Sequence, residues 1–326
     1  MSEGTVPPVR RLLVVCEEDS TALLRLADRL AGTLGAEPTL LAVVPEAPLP
    51  PRASALVGDA PGARLAREAE EKLEALAAGL GHPAERVVRT GRAFLEILGE
   101  AVQGEHDLVL KMADDRPGLH ARLLGSTDQH LLRKCPVPLW LERPAGARRG
   151  LLAALDVDLE RAPEPDTLRA LNERIGGLAA ALAAALDEPL HLAHAWDAPE
   201  EPLLRRWTHD TTEVDAYLRA VETQRGQLLD VATRDAERRV GGGCRVVPHL
   251  RRGDPRDVLP ALVDELDARL LLAGTVARTG IPGLLIGNTA EDVLNDVRTS
   301  LLAVKPEGFV CPVALPPRHA PASVRR

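Results

Sequence analysis

The chain has 326 residues, a formal net charge of −8 at pH 7, 45% apolar and 27% charged residues, and only 2% aromatic residues. Such a length predicts about two domains, and the composition is that of a globular protein whose cores are built from Leu, Val, Ile and Ala. The acidic balance and the scarcity of stacking rings exclude a nucleic-acid backbone as the main partner, which would require a basic face.

The first predicted element is an apolar run at 11–16, bounded by EEDS, which reads as a buried strand. Ser20 or Asp19 caps the helix that follows, whose leucines recur at helical spacing up to Gly35. TLLAVV is a second strand, followed by a Pro-rich loop at 45–51 and the helix ARLAREAEEKLEALAAGL. RVVRT, the helix AFLEILGEAV, the strand DLVLKM, a loop to Gly125, the helix STDQHLLRK and the strand VPLWLER complete the first half. RPAGARR at 143–149 has the composition of a linker.

The second half restarts with GLLAALD at 150–156 and repeats the order: the helix TLRALNERIGGLAAALAAAL, the strand LHLAHAW, a long helix ending near Gly241, and the strand CRVVPHL. The helix PRDVLPALVDEL, the strand RLLLAG, a loop to Gly287, the helix NTAEDVLNDV and the strand SLLAVK follow. The tail from Lys305 is Pro-rich, and its segment GFVCPV is suited to cover the sheet or the other domain. Wholly apolar strands alternating with helices predict an α/β fold: two tandem doubly wound domains, each a five-stranded, mainly parallel sheet with helices on both faces. The expected boundaries are 1–147, 148–313 and a tail at 314–326.

The two halves are copies. RTGRAFLEIL around Gly91 matches RRGDPRDVLPAL around Gly253, and each glycine lies 34 positions before another (125 − 91 and 287 − 253), so one offset of 162 aligns the segments. That period exceeds any solenoid repeat, and each copy is long enough to bury its own core.

In a doubly wound sheet, ligands sit beyond the carboxyl ends of the strands. The loop from Gly274 to Thr289 leaves such an end, and its small residues let backbone N–H groups approach a phosphate. Asn288 and Thr289 open a helix whose N-terminus adds a positive dipole end. The same glycines also serve as plain turns, and Asn288 or Thr289 as a plain cap.

The strand-helix order, Asp156 after LLAAL, and GTVARTGIPGLLIGNTAEDVL resemble the universal stress protein family, whose fold is shared with the adenine nucleotide alpha hydrolase-like proteins. GNTAEDVL, LLAVKPEGF and STDQHLLRKCPVPLWL resemble its tandem E-type members. The resemblance covers residues 10 to 313 and implies stress signalling. It also implies pairing of the two domains through their last strands and binding of ATP or another adenine nucleotide with its associated Mg. The nucleotide-binding members carry G-x2-G-x9-G-[ST] and an acid after strand one. Carried over, the first and third glycines are Gly274 and Gly287 and the acid is Asp156. Ala277 stands at the second glycine, and Asn288, beside Thr289, stands at the hydroxyl position. The resemblance places Asp156 toward the nucleoside and Gly274, Ala277, Arg278, Gly287, Asn288 and Thr289 toward the phosphates. In the first half Met112 and Asp115 replace the first two glycines, Gly125 and Ser126 keep the third glycine and hydroxyl, and Glu17 replaces the acid. The Asp115 carboxylate would repel a phosphate, so the first site is expected to be empty.

Other signals are weaker. His191 and His194 are three apart on a strand and face opposite sides, so they cannot share one metal ion. Glu17, Glu18 and Asp19 read as caps and solvated turn residues, Arg251-Arg252 as a solvated strand end, and Trp196 as a pocket lid or an apolar plug. No G-x-S-x-G elbow, Walker lysine loop or HExxH is present, so no enzyme beyond a very slow ATPase is expected. Four distant cysteines without CxxC read as reduced and mostly buried. With an N-terminus that lacks an apolar signal core, they predict a cytoplasmic protein. The run LAAALAAAL at 178–186 is too short to span a membrane. Two function classes remain open: a nucleotide-linked stress protein, with intrachain pairing and room for a homodimer, and a nucleotide-independent interaction or chaperone-like module.

Overall fold

The computed structural model describes residues 9–46, 61–114, 125–144, 146–208, 211–275, 292–293 and 296–317. The first half runs β1 (Arg11–Val15), α1 (Thr21–Leu34), β2 (Glu37–Val44), α2 (Pro61–Ala78), β3 (Glu85–Thr90), α3 (Ala93–Gln103), β4 (Leu108–Met112), α4 (Ser126–Lys134) and β5 (Leu139–Glu142). The second half runs β6 (Leu151–Ala154), α5 (Pro165–Leu186), β7 (Leu190–Trp196), α6 (Glu201–Trp207), α7 (Thr211–Val240), β8 (Val246–Arg252), α8 (Pro255–Glu265), β9 (Leu270–Gly274) and β10 (Ser300–Val304). The short helix α6 was not expected from sequence. It falls in the segment EPLLRRW, opened by a proline in its first turn and braced by an Arg205–Glu201 pair one turn apart.

Within each half every strand pairing is parallel. The halves then join through one antiparallel contact, β5 against β10, with Leu141 opposite Leu301 and Leu139 opposite Ala303. The result is one ten-stranded sheet in the order β3-β2-β1-β4-β5-β10-β9-β6-β7-β8. Pairing through the last strands is therefore observed within the chain.

Apolar side chains bury both faces. One core gathers α1, α2, α5 and α7 against the sheet, the other α3, α4 and α8. The run at 178–186 is apolar all round because α5 is enclosed on more than one side: Leu178, Ala179, Ala180, Leu182, Ala183, Ala185 and Leu186 are buried. Arg29 of α1 donates to the Leu186 carbonyl, tying the two halves on this face.

The repeated glycines have a backbone cause. Gly91 and Gly253 sit at φ +157° and +142°, a region side chains rarely adopt. Their N–H groups donate to Val44 O at 3.0 Å and Trp196 O at 2.9 Å, the ends of the neighbouring strands. Gly35 closes α1 in the left-handed conformation, donating to Ala31 O. At the other end of α1, Ser20 holds the cap position without capping. Its hydroxyl turns back to Glu17, accepting from the N–H at 2.9 Å and donating to the carbonyl at 3.2 Å.

The seam has a pseudo-twofold pattern. Arg143 and Lys305 lie at the same offset of 162, each just past the last strand of its half. Arg143 donates to the carbonyls of Val297 at 3.2 Å and Thr299 at 3.0 Å in the second half. Lys305 donates to Leu132 O at the end of α4 in the first half, at 2.6 Å. Each half thus supplies a cation to carbonyls of the other: Lys305 to the last turn of α4, where carbonyls are left over and the dipole favours positive charge, and Arg143 to the turn before β10. Buried Glu142 completes the seam, accepting from Trp140 Nε1 at 2.7 Å, Ser300 Oγ at 2.8 Å and Arg269 at 3.2 Å.

Past β10 the chain crosses back to the first half. Cys311, Val313 and Leu315 pack on the second core, and Gln103 of α3 donates to Pro316 O at 2.7 Å. Residues 311–316 are thus a strap over the other half.

Candidate functional site

Both candidate sites lie where β1 and β4, or β6 and β9, run side by side and end together. In the first half this place is occupied by the protein's own charges. Lys111, at the end of β4, is 1% exposed, and Asp128, in the first turn of α4, is fully buried. The Lys111 ammonium lies 3.0 Å from Asp128 Oδ1 and 3.1 Å from Glu17 Oε1, and donates to Met112 O at 2.9 Å. Burial by itself would lower the Lys111 pKa, but the Asp128 and Glu17 carboxylates raise it above the usual lysine range, so the side chain is a cation. Glu17 is exposed in the turn after β1, as expected, and its carboxylate also reaches the buried lysine. Its carbonyl also accepts from Lys72 at 2.6 Å.

Two carboxylates stand at the N-terminus of α4. The Asp114 N–H donates to Asp128 Oδ2 at 2.6 Å, and a Cβ placed on Gly125 would come within 1.9 Å of Asp114 Oδ2. Gly125 is thus required by the approach of Asp114, and the helix end that would attract a phosphate faces internal anions instead. Asp115, the residue expected to repel phosphate, lies outside the described residues. Met112 ends β4, and Ser126 is exposed at the start of α4.

In the second half Asp156 follows β6 and is half-buried. Its N–H donates to Asn172 Oδ1 at 3.1 Å and its carbonyl accepts from Asn172 Nδ2 at 2.7 Å, while its Oδ1 accepts from the Asp158 N–H at 3.2 Å. Behind it, Arg225 and Asp158 form a buried ion pair at 2.7 Å. His194 donates from Nδ1 to Leu155 O at 3.0 Å, and burial lowers its pKa. Gly274 ends β9, and a Cβ there would meet Leu171 Cδ2 at 2.8 Å and Ile175 Cδ1 at 3.6 Å, so α5 packs closely on the end of β9 and a side chain there would have to displace Leu171. Ala277, Arg278, Gly287, Asn288 and Thr289 lie outside the described residues.

Trp196 is a plug. It is buried with Ala198, Val214 and Leu218, with Arg252 stacked 5.4 Å above its ring. Arg251 and Arg252 are held by Glu265 and Glu201. A cleft of about 350 Å³ beside α8 is lined by Asp254, Arg256, Asp257, Asp292 and Asp296, and its four carboxylates make it unsuited to a phosphate chain.

Sequence reasoning missed Lys111, Asp114 and Asp128. Their counterparts at the offset of 162 are Ala273, Val276 and Ala290, so a buried charge cluster in one copy is replaced throughout by small apolar residues in the other. The duplicated sequence already held that signal.

A sequence model of the universal stress protein family matches residues 8–143 and again 173–305. The chain belongs to the universal stress protein family. Universal stress protein E of Escherichia coli K12 is 36% identical over 231 residues, covering 71% of this chain and 70% of that protein. The Universal stress protein E of Photorhabdus laumondii is 29% identical over 233 residues, 70% of each chain. Among solved structures, a functionally unknown protein of Pseudomonas aeruginosa PAO1 superposes with a TM-score of 0.63 at 25% identity, over 92% of this chain and 94% of that one. A universal stress protein of Archaeoglobus fulgidus gives a TM-score of 0.59 at 18% identity, over 91% and 98%, which shows the shared fold. Membership supports a stress-response role for this tandem universal stress protein. No helix among the described residues is long and apolar enough to cross a membrane.

Proposed function

We propose that this universal stress protein is a cytoplasmic binding protein, without rapid catalysis, whose second half takes ATP or another adenine nucleotide with its Mg, and whose first half is the fixed partner of that site. The observation that carries this reading is the asymmetry at the helix N-termini. The first half places Asp114 and Asp128 where a phosphate would sit and commits Glu17 to Lys111, while the second half has Val276, Ala290 and Ala273 at those positions. Asp156, held by Asn172 at the strand end, would face the nucleoside. The loop residues Ala277, Arg278, Gly287, Asn288 and Thr289 would line the phosphates, with Arg278 adding charge and Gly274 setting where the loop departs.

Calorimetry of the full chain with MgATP tests this. One nucleotide per chain is expected, lost in Gly287→Val and kept in Lys111→Met. No heat at millimolar MgATP overturns the reading in favour of a nucleotide-independent interaction module. That second reading is favoured by the packing role of Gly274 and by Trp207, 74% exposed at the end of α6. Heat lost in Lys111→Met but kept in Gly287→Val would place the site in the wrong half.

A further inference from the structure

The cleft beside α8 has no part in the proposed nucleotide site. Asp254, Asp257, Asp292 and Asp296 line it together with Arg256, so four carboxylates face one guanidinium. Arg256 meets Asp254 at 2.7 Å and Asp292 at 3.8 Å, and the cleft remains acidic. The other copy of the duplication turns these charges over. At the offset of 162 the counterparts of Asp254, Arg256, Asp292 and Asp296 are Arg92, Phe94, His130 and Lys134. In the first half these residues form a preorganised basic patch. The Lys134 ammonium lies 4.9 Å from the Phe94 ring centre and donates to His130 Nδ1 at 3.2 Å, while the His130 and Phe94 rings are 4.5 Å apart. Burial, Lys134 and Arg133 all lower the His130 pKa, which keeps the imidazole a neutral acceptor. Half-buried Lys134 is flanked by exposed Arg92 and Arg133, and Glu96, the carboxylate of that turn, is buried against Gly91.

Both surfaces lie on one side of the sheet. Residues of α3, α4 and α8, with Val293 and Val297, share the core on that side. The antiparallel pairing of β5 with β10 relates the two halves by a half-turn about the sheet normal, so patch and cleft sit on opposite sides of the seam. We infer that this helix-covered face docks a second copy of the chain as a twofold pair, with the basic patch of each copy over the acidic cleft of the other.

Charge complementarity selects this occupant. A twofold axis lying between two such faces, across the line from patch to cleft, makes both contacts at once, so the pair closes and does not grow into a filament. Setting patch on patch or cleft on cleft would oppose like charges. Phe94 and Val310, the latter 77% exposed where the chain enters the strap on this side, add apolar surface. The contact is separate from the seam, which uses the last strands within one chain.

The test is sedimentation velocity of the full chain at low and high salt. A dimer is expected at about 0.01 M salt and a monomer at about 1 M, where the screening length has fallen from about 30 Å to about 3 Å. Arg92→Glu with Lys134→Glu makes both surfaces acidic, and Asp292→Lys with Asp296→Lys makes both basic. Each double variant should be monomeric at low salt with unchanged far-ultraviolet dichroism, and an equimolar mixture should recover a dimer holding one of each. Where Lys134→Glu disturbs the Phe94 stack, Arg92→Glu with Arg133→Glu makes the reversal from exposed positions. An unaltered chain that is monomeric at low salt, a dimer that either double variant keeps, or a mixture that stays monomeric overturns the assignment. Species larger than a dimer overturn the twofold arrangement.

Discussion

Lys305 gives the sharpest stability prediction. It is 3% exposed, and its ammonium meets the Leu132 carbonyl, the Thr275 hydroxyl and, 5.2 Å away, the Phe309 ring, with no carboxylate among its described partners. Burial pushes its pKa down from 10.5 to about 8, with Cys135 opposing weakly. At pH 7 the lysine is charged in both folded and unfolded chains, and the folded state carries the whole cost of burying it. That cost is about 3–4 kcal/mol, from the fall from 10.5 to about 8 at about 1.4 kcal/mol per tenfold in proton affinity. As pH rises through about 8, the folded chain releases this proton while the unfolded chain keeps it until 10.5. Stability therefore grows with pH, by about 2 kcal/mol between pH 7 and 9.5. Cys16 and Cys135 act in the opposite sense above pH 9, because burial pushes both thiols up to about 12. Lys305→Met keeps both cysteines, so the difference between it and the unaltered chain isolates the lysine. Near pH 7 the two should be close, because removing a buried charge offsets the stranding of two oxygen acceptors, roughly 1–3 kcal/mol each. By pH 9.5 the variant should have fallen about 2 kcal/mol behind, measured by urea unfolding at several pH values. Parallel stability curves for the two proteins would refute the reasoning.

Two further outcomes follow from the packing. Asp128→Ala leaves Lys111 buried beside the half-exposed Glu17 alone, and should cost about 3–5 kcal/mol in urea unfolding, while Lys111→Met with Asp128→Leu should recover most of it. Gly99→Val pushes a side chain toward Pro316, whose Cδ lies 3.2 Å from the Cβ position, and should cost about 1–3 kcal/mol and raise amide exchange in residues 309–316.

The parts of the fold that were legible are those whose cause is local. Wholly apolar strands mark a sheet covered on both faces, and Gly91 and Gly253 mark backbone turns that side chains resist, so element order and duplication could be read together. Of the two caps the sequence offers, Asp19 accepts from the Thr21 N–H at 3.4 Å while Ser20 turns back, because a hydroxyl at a helix start has two local partners and composition does not choose between the helix N–H groups and the Glu17 backbone. The seam was hidden for a different reason. Arg143 reaches residues about 150 positions away, and neither its spacing nor its neighbours announce that it holds the carbonyls just before β10. The same holds for Lys111, which reads as the one charge in an apolar strand until α4 brings Asp128 over it.

That misreading bears on what duplication has done. A cation on β4 is tolerable in the core only with its anion, and the anion it meets stands at the helix N-terminus that a phosphate would otherwise use. Filling the first site therefore stabilises the half that contains it. The second half, with Ala273 and Ala290 in place of that pair, lacks this internal anion. Arg143 meets the carbonyls just before β10 as Lys305 meets the end of α4, so each half braces the other across the antiparallel strand pair. The seam therefore joins a half whose strand end holds its own ion cluster to a half whose corresponding positions are small and apolar.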